Sequence, residues 1–372
     1  MKNLHIVAFD NPFPPDYGGA IDVYYKLRAL NRLGIKPVLH LFRYGRRFVT
    51  PLKPMVSEVF SYPREKSVRD WFSTEPFIVR SRRNKQLFKN LARADAILFE
   101  GIHTTAFAND FRGKKKIFLR AHNIETSYYR HLASASKNPF ERLYYLSEAM
   151  KLSRFEPQTA RLFDGIFTVH PDEQAYFSRY NKHSEWIPVF HPFDRVEIPD
   201  EEERIVLFHG NLSVAENLRS IAFLREKVFS RSPYVFVVAG KNPPAFLKRA
   251  AEREENFFVI PDPSVDKLDK LIGRARIHIV HSFYKTGVKL KLLYALYRGK
   301  YVIANTNVTD GTGLEPLVYR ADSPGEILQT VERLMKEETD WTKVVKQRES
   351  VLNARYNNLT NARKMTDYVE KT

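Results

Sequence analysis

A glycine and two lysines stand where an apolar segment gives way to a helical pattern. Gly287, Lys289 and Lys291 follow the apolar residues 277–281. A helix N-terminus carries partial positive charge and unpaired N–H groups, so it attracts phosphate. Gly287 permits a close approach of the backbone to a ligand, and the two lysines add point charges for a diphosphate. The pattern predicts a phosphate site, with an ordinary amphipathic helix after a buried strand as the alternative.

Glycine also stands in two further turns that lie between an apolar strand and a helical pattern. Gly18 and Gly19 end a proline-rich loop in front of a helical pattern, and Gly210 and Asn211 follow a later strand. Backbone N–H groups in such turns face anions, although a tight strand-to-helix turn needs glycine as well. Neither turn has the Gly-x-Gly-x-x-Gly spacing, so a nicotinamide cofactor is not indicated.

Polar side chains also follow the apolar residues 116–120. His122, Asn123 and Glu125 stand where a strand of an α/β sheet ends, and ligands bind at such ends. We therefore favour a ligand-facing role for His122 over a purely structural one. Glu125 either contacts a ligand or caps and pairs within the helix that follows.

Short apolar segments alternate with helical patterns along the whole chain. This alternation is typical of parallel sheets covered by helices on both faces. A proline-bearing segment and the acidic run 200–203 separate two such series, which gives a first domain over 1–192 and a second over 193–354. The predicted strands are residues 4–9, 36–42, 96–99, 116–120, 165–169, 204–208, 234–239, 257–260, 277–280 and 301–304.

Composition agrees with two globular domains and excludes several classes of site. The chain has 372 residues, of which 43% are hydrophobic, enough for two separate cores. It has no cysteine, so disulfides, cysteine metal sites and cysteine nucleophiles are excluded. The histidines are scattered, and no metal site is predicted. The N-terminus does not resemble a signal peptide and no segment has the length of a membrane-spanning helix, so we expect a cytoplasmic protein.

The net charge is +17, and the excess lies mostly in the first half. Residues 1–190 hold 31 Lys and Arg against 18 Asp and Glu. Such a surface, with aromatic residues nearby, suits an anionic membrane or nucleic acid, and a merely solvated surface is the alternative. Nucleic acid is disfavoured because no recognised binding motif is present. The basic clusters are Arg43, Arg46, Arg47 and Lys53; Arg80, Arg82, Arg83 and Lys85; and Lys114, Lys115 and Lys116.

Two of these motifs resemble the GT-B glycosyltransferases of the GT4 type, the glycosyl transferases group 1. Residues 286–296 are similar to that family's donor-sugar loop, Gly-x-Gly-Val-(Lys/Arg)-Leu-Lys-Leu-Leu-Glu-Ala-Leu, and residues 120–125 to the His-Asn-x-Glu signature of one branch. The resemblance covers nearly the whole chain. It implies an α/β fold of two Rossmann-like, doubly wound domains facing across a cleft. It also implies a C-terminal helix, about 355–372, that returns to the first domain.

The resemblance implies a function. The implied reaction is transfer of a sugar from a nucleotide-diphosphate donor to a hydroxyl of a saccharide or lipid-linked acceptor. The transfer would retain configuration and need no metal. The acceptor would be of the kind used in bacterial envelope or capsule synthesis. No cofactor is expected, and the protein would be cytoplasmic or peripheral on the inner face of the membrane. The implied residues are His122, Lys289 and Lys291 for catalysis; Gly18, Gly19, Gly210, Asn211, Thr286, Gly287 and Val288 for the donor; and Asn123 and Glu125 for the acceptor.

Two positions depart from the family pattern. Tyr294 stands where the family has a glutamate that holds the donor ribose, and Glu216 stands where it has a lysine that meets a phosphate. Each change replaces a residue that the family uses on the donor. They leave open an atypical donor, or a non-catalytic glycosyltransferase-like subunit that binds a partner enzyme or the membrane.

Overall fold

The computed structural model describes residues 3–43, 50–65, 73–136, 138–230, 232–285 and 287–372. It divides the chain into two compact units, one of Met1–Pro192 with Tyr356–Thr372 and the other of Phe193–Arg355. Thr286 and the basic residues Arg46 and Arg47 lie outside the described residues.

The first unit contains a parallel sheet of seven strands. Their order is β3-β2-β1-β4-β5-β6-β7, and every described neighbouring pair is parallel. The strands are β1 Leu4–Ala8, β2 Val38–Arg43, β3 Glu58–Pro63, β4 Ala96–Glu100, β5 Lys116–Ala121, β6 Gly165–Thr168 and β7 Ser184–Trp186. Alternate side chains of a strand point to opposite faces, so Val7 and Ile6 enter different apolar clusters on the two sides of this sheet.

The helices of the first unit connect successive strands. Parallel strands need such crossovers, and helices that pack on both faces bury the sheet completely. The helices are α1 Gly18–Arg32, α2 Phe77–Arg80, α3 Lys85–Leu91, α4 Ala108–Phe111, α5 Glu125–Ala135, α6 Pro139–Ala160 and α7 Pro171–Ser178.

The second unit contains a parallel sheet of six strands in the order β10-β9-β8-β11-β12-β13. The strands are β8 Glu203–His209, β9 Val235–Gly240, β10 Phe257–Pro261, β11 Ala275–Val280, β12 Tyr301–Ala304 and β13 Tyr319–Arg320. The helices are α8 Ala215–Phe223, α9 Ala245–Ala251, α10 Val265–Arg274, α11 Leu290–Arg298, α12 Thr306–Thr309, α13 Pro324–Leu334 and α14 Trp341–Tyr356.

The last helix, α15 Asn358–Lys371, belongs to the first unit. It packs on α1, and its residues Ala362, Met365 and Val369 enter the same apolar cluster as Ile6. Tyr368 of this helix lies so close to Gly165 that a Cβ at position 165 would come within 2.6 Å of its ring. The C-terminal segment is therefore part of the core of the first unit.

Among the described residues, three strands were not predicted, and each lies at the edge of a sheet. β3 and β7 are the outer strands of the first sheet, and β13 is an outer strand of the second. An edge strand is covered less completely than a central one, so it lacks the continuous apolar run that marks a buried strand. Ser184–Trp186 and Tyr319–Arg320 are also too short to show a period. No helix among the described residues is long and apolar enough to cross a membrane.

Gly240, at the end of β9, packs directly against the turn that follows β8. A Cβ at this position would overlap the backbone carbonyl of Gly210. We expect Gly240→Ala to lower the free energy of unfolding by at least about 2 kcal/mol, because backbone has little room to move. Gly325→Ala is the matched control, since nothing lies within 4 Å of a Cβ there. Equal urea midpoints for the two variants would contradict this packing.

Candidate functional site

The second unit brings two of the predicted donor motifs to one edge of its sheet. β8 and β11 are hydrogen-bonded parallel neighbours, so their carboxyl ends lie side by side. β8 is followed by Gly210 and α8, whereas β11 is followed by the lysine motif and α11. The first turns of these two helices consequently present their side chains to each other.

The turn after β8 requires glycine and is held by Asn217. Gly210 has φ +154°, and a Cβ there would lie 3.2 Å from the Asn217 amide nitrogen. Asn217 Nδ2 donates a hydrogen bond of 2.8 Å to the backbone carbonyl of Asn211. The Asn211 side chain accepts from the backbone N–H of Ser213 at 3.0 Å. The Asn211 side chain thus stabilises its own turn. The sequence analysis predicted a donor contact for Asn211 and not this structural role.

Lys289 and Glu216 form an ion pair between the two helix starts. Lys289 is the residue before α11, and its Nζ lies 2.9 Å from Glu216 Oε1 in the first turn of α8. The hydroxyl of Ser282 donates to the same carboxylate oxygen. Burial raises the pKa of Glu216, but the Lys289 charge, the hydrogen bonds from Ser282 and Lys289 and the Lys291 charge together outweigh burial, so its pKa lies below the ordinary value. Glu216 therefore brings negative charge to the place where a phosphate-binding lysine was expected.

Lys291 lies deeper, in the first turn of α11. Its ammonium donates to Asn217 Oδ1 at 3.1 Å and to the His281 carbonyl at 3.4 Å, and it lies 4.3 Å from the centre of the Phe208 ring. Burial and the neighbouring Lys289 charge lower the pKa of Lys291 to about 7, although Glu216 acts in the opposite direction. This lysine is only partly protonated at neutral pH, and a bound anion would favour its charged form.

Tyr294 takes part in an aromatic cluster on the same helix. Its ring centre lies 4.7 Å from that of Phe193, nearly perpendicular to it, and 6.3 Å from that of His209. Tyr294 is partly buried and packs against the apolar cluster that contains Leu207 and Ala239. A tyrosine supplies no carboxylate for a ribose, so the second departure from the family pattern is filled by apolar packing.

The first unit holds His122 in a buried network of charges. Lys26 Nζ lies 3.1 Å from Asp22 Oδ2 and 2.7 Å from Glu100 Oε1. Arg120 Nη2 lies 2.8 Å from Asp22 Oδ1, and His122 Nε2 lies 2.9 Å from Glu100 Oε2. The side chain of His122 is 12% exposed. The other side chains of the network are fully buried: Asp22, Lys26, Glu100 and Arg120.

Both carboxylates of this network are kept ionised by their partners. Burial raises the pKa of Asp22, yet Arg120 and then Lys26 hold it far below its ordinary value. The pKa of Glu100 is also lowered, because Lys26 and His122 outweigh burial. Two buried carboxylates are thus balanced by two buried cations, which is the condition for charge to be tolerated inside a protein.

The same side chains have the geometry of a possible cation site. Ligand atoms of Asp22, Glu100 and His122 all lie within 4.8 Å of one another. Lys26 already contacts both carboxylates, and Arg120 contacts one of them. A metal ion would have to displace or repel these cations, so the donor set as built favours the lysine. The expected independence from metal stays a prediction.

Glu125 is buried at the start of α5 and is not the capping group there. The carboxylate of Glu156 on α6 accepts the backbone N–H groups of Glu125 at 2.7 Å and Thr126 at 2.9 Å. Burial, and secondly the Glu156 charge, raise the pKa of Glu125 to about 8, while a hydrogen bond from Asn123 opposes the shift. Glu125 is therefore largely protonated at neutral pH. The acceptor roles of Asn123 and Glu125 stay predictions.

The structure accounts for the predicted residues unevenly. It brings Gly210, Asn211, Lys289 and Lys291 together in the second unit. Gly287 has φ +53°, as a close backbone turn requires, and Val288 is partly buried beside it. Gly18 and Gly19 begin α1 in the first unit, where the Phe9 ring leaves no room for a Cβ at position 19.

Three buried residues of the His122 network were missed by the sequence analysis: Asp22, Lys26 and Glu100. A signal for two of them was present. Asp22 and Lys26 are four residues apart among the apolar residues of α1, where charged side chains are unexpected unless they are paired.

Comparisons with known proteins agree with this architecture. Residues 203–337 match the family model of the glycosyl transferases group 1. A relative from Klebsiella pneumoniae, an uncharacterized 44.6 kDa protein in the cps region, is 24% identical over 84% of this chain and 85% of its own length.

Solved structures match over the full chain. Sucrose-phosphate synthase from Thermosynechococcus elongatus has a TM-score of 0.70 at 14% identity, covering 100% of this chain and 99% of its own. Anabaena HepE in complex with UDP and glucose has a TM-score of 0.68 at 11% identity, covering both chains completely. TarM has a TM-score of 0.68 at 9% identity, covering 99% of each chain.

The predicted α/β fold is confirmed: this chain has the GT-B fold of the glycosyltransferases. Its second unit carries a glycosyl transferases group 1 domain, so the chain contains a domain of a glycosyltransferase enzyme family. The GT4 subtype is compatible with these matches and stays a prediction.

Lys26 is the residue whose removal tests the buried network. Lys26→Met leaves Asp22 and Glu100 without their shared cation, so we expect a loss of about 3–5 kcal/mol in the free energy of unfolding. Lys36→Met is the control, because Lys36 is exposed, and we expect a change within about 0.5 kcal/mol. Urea denaturation measures both. A loss below about 1 kcal/mol for Lys26→Met would show that the carboxylates do not depend on this lysine.

Proposed function

We propose that this chain transfers a sugar from a nucleotide-diphosphate donor to a hydroxyl of a saccharide or lipid-linked acceptor. The observation that carries the proposal is Lys291, a largely enclosed ammonium beside the first turns of α8 and α11. Its lowered pKa marks a cation that gains from an anionic ligand. Crystal structures of the similar HepE contain UDP and UDP-glucose, which supports testing uridine nucleotides first.

Sugar transfer from a nucleotide-diphosphate donor requires stabilisation of the leaving diphosphate. The bond between the anomeric carbon and the diphosphate oxygen breaks, the acceptor oxygen bonds to that carbon, and the acceptor proton passes to water. Negative charge develops on the diphosphate, where Lys291, Lys289 and backbone N–H groups at a helix start can neutralise it. The proposal includes retention of configuration and independence from metal, both of which rest on the family resemblance.

His122 is proposed to orient the sugar. Its ring is fixed by the Glu100 carboxylate at 2.9 Å, and a small part of its side chain stays exposed. A histidine held by a buried carboxylate has a defined orientation, which positioning requires. Asn123 and Glu125 are proposed for the acceptor. A cytoplasmic location, or one on the inner face of the membrane, suits a lipid-linked acceptor.

Calorimetric titration with UDP, GDP and ADP and with their sugar derivatives tests the proposal. We expect at least one nucleotide to bind and Lys291→Ala to weaken that binding about tenfold or more, the value of a charge-assisted hydrogen bond. Since the free lysine has a pKa of about 7, binding at pH 8 should take up as much as one proton. Affinity should consequently fall as pH rises above 7. Titrations in buffers of different ionisation enthalpy measure the uptake.

Lys270→Ala is the control for that experiment, because Lys270 is an exposed lysine of the same unit. It should bind nucleotide as the unmodified protein does. Absence of binding to every nucleotide, or an unchanged affinity in Lys291→Ala, would overturn the proposal. No binding to any nucleotide sugar, together with a Lys291→Ala variant that behaves like the unmodified protein, would favour the glycosyltransferase-like subunit, in agreement with the departures at Glu216 and Tyr294.

Glu216 is expected to weaken diphosphate binding in the present chain. Glu216→Gln keeps a hydrogen-bond acceptor for Ser282, removes the negative charge and releases Lys289 from its ion pair. We expect nucleoside diphosphates to bind about fivefold more tightly, which corresponds to about 1 kcal/mol for one nearby charge. The exposed Glu252→Gln is the matched control. Weaker binding in Glu216→Gln would instead assign Glu216 a direct contact with the donor.

A further inference from the structure

Helix α6 carries a stripe of large apolar side chains that the fold leaves uncovered. Phe140 is 82% exposed, Leu143 67%, Leu146 44% and Met150 62%. Single exposed apolar residues are common on protein surfaces, but four of them on one helix form a contiguous patch, and such patches mark interaction sites. The helix is fixed to the first unit by its other face, through Ala149, Leu152, Thr159 and Ala160.

Two arginines extend the same stripe. At 3.6 residues per turn, Arg142, Leu146, Met150, Leu143 and Arg154 fall within about a third of the helix circumference. Both arginines are exposed. We call these five residues with Phe140 the α6 stripe.

The acidic residues of α6 lie on other faces of the helix. The buried Glu148 accepts the backbone N–H of Phe77 and pairs with Lys151 at 2.7 Å, and the buried Glu156 caps α5. Glu141 accepts a hydrogen bond from Ser136. The α6 stripe is thus apolar and basic without a carboxylate.

We propose that the α6 stripe docks this chain onto an anionic lipid bilayer. A helix that lies in a membrane interface combines an apolar face with Arg or Lys and binds through apolar burial together with attraction to anionic headgroups. The α6 stripe has both parts on a helix of 22 residues. The chain's charge of +17 acts in the same direction.

A second copy of the chain fits this surface less well. Twofold pairing of two α6 stripes would bring the same arginines of both copies to one interface, with no carboxylate of the stripe to match them. Two chains of charge +17 also repel each other before contact. An anionic bilayer meets no such repulsion, and it accommodates the apolar side chains.

This inference deepens the proposed function, on which it rests for its biological meaning, because it names the surface that would bring the chain to a lipid-linked acceptor. Its test does not involve transfer. Vesicle binding can fail while nucleotide binding succeeds, and the reverse can also occur. The two proposals therefore stand or fall separately.

Vesicle flotation tests the α6 stripe, with phosphatidylcholine vesicles compared with vesicles of equal parts phosphatidylcholine and phosphatidylglycerol. We expect the full chain to float with the anionic vesicles. Leu143→Glu combined with Met150→Glu should lower that partitioning at least about tenfold, because each side chain contributes over 1 kcal/mol when buried. Arg142→Ala combined with Arg154→Ala should lower it about thirtyfold, since each arginine near the surface contributes about 1 kcal/mol.

Matched controls carry the same chemical changes on the second unit. Phe246→Glu with Val265→Glu replaces two exposed apolar residues, and Arg249→Ala with Arg253→Ala removes two exposed arginines. Both controls should float as the unmodified chain does. Thermal unfolding of every variant should match that of the unmodified chain, because all the substituted side chains are exposed.

Three results would overturn the inference. The first is equal flotation of the Leu143/Met150 variant and the unmodified chain. The second is an equal loss in the stripe variants and their controls, which would make the attraction nonspecific. The third is a dimer in sedimentation that the Leu143/Met150 variant dissolves, with no binding to vesicles, which would assign the stripe to a second copy.

Discussion

The buried ion pairs of the Asp22 carboxylate connect separate elements of the first unit. This carboxylate is fully buried, and it accepts from Arg120, Lys26 and the backbone N–H of Phe190. Arg120 in turn donates to the carbonyls of Thr168, Ile187 and Pro188. Helix α1, strands β5 and β6 and the segment 187–190 are thereby joined by charge-assisted hydrogen bonds. Removing Lys26 or Arg120 would leave the two buried carboxylates with one fully buried cation fewer, and their burial would no longer be fully compensated.

This arrangement explains why His122 has a defined position. Glu100 is held in its ionised form by Lys26, and the same carboxylate fixes the His122 ring. The histidine stands at the partly exposed end of a network that is otherwise closed to water. A residue in such a place can orient a ligand without losing its own orientation, which agrees with the role that we propose for it.

The second unit uses charge in a different way. Its lysines are only partly balanced, because Glu216 pairs with Lys289 whereas Lys291 is held by an amide and a carbonyl. Burial without a full counter-charge lowers the pKa of Lys291, and the missing charge is what a diphosphate would bring. The buried charges of the His122 network thus pair with one another, whereas Lys291 in the second unit lacks a full counter-charge that an anionic ligand would supply.

The sequence by itself determined the two α/β series and the central strands, because continuous apolar runs are local signals. It also indicated the glycine-containing turns, because glycine between a strand and a helix is visible locally. It could not reveal that Glu100, far from Lys26 along the chain, completes a buried network. Nor could it show that Glu156 rather than Glu125 would meet the start of α5, or that Lys291 would be enclosed. Burial and pairing depend on residues distant in sequence, so only the tertiary structure decided them.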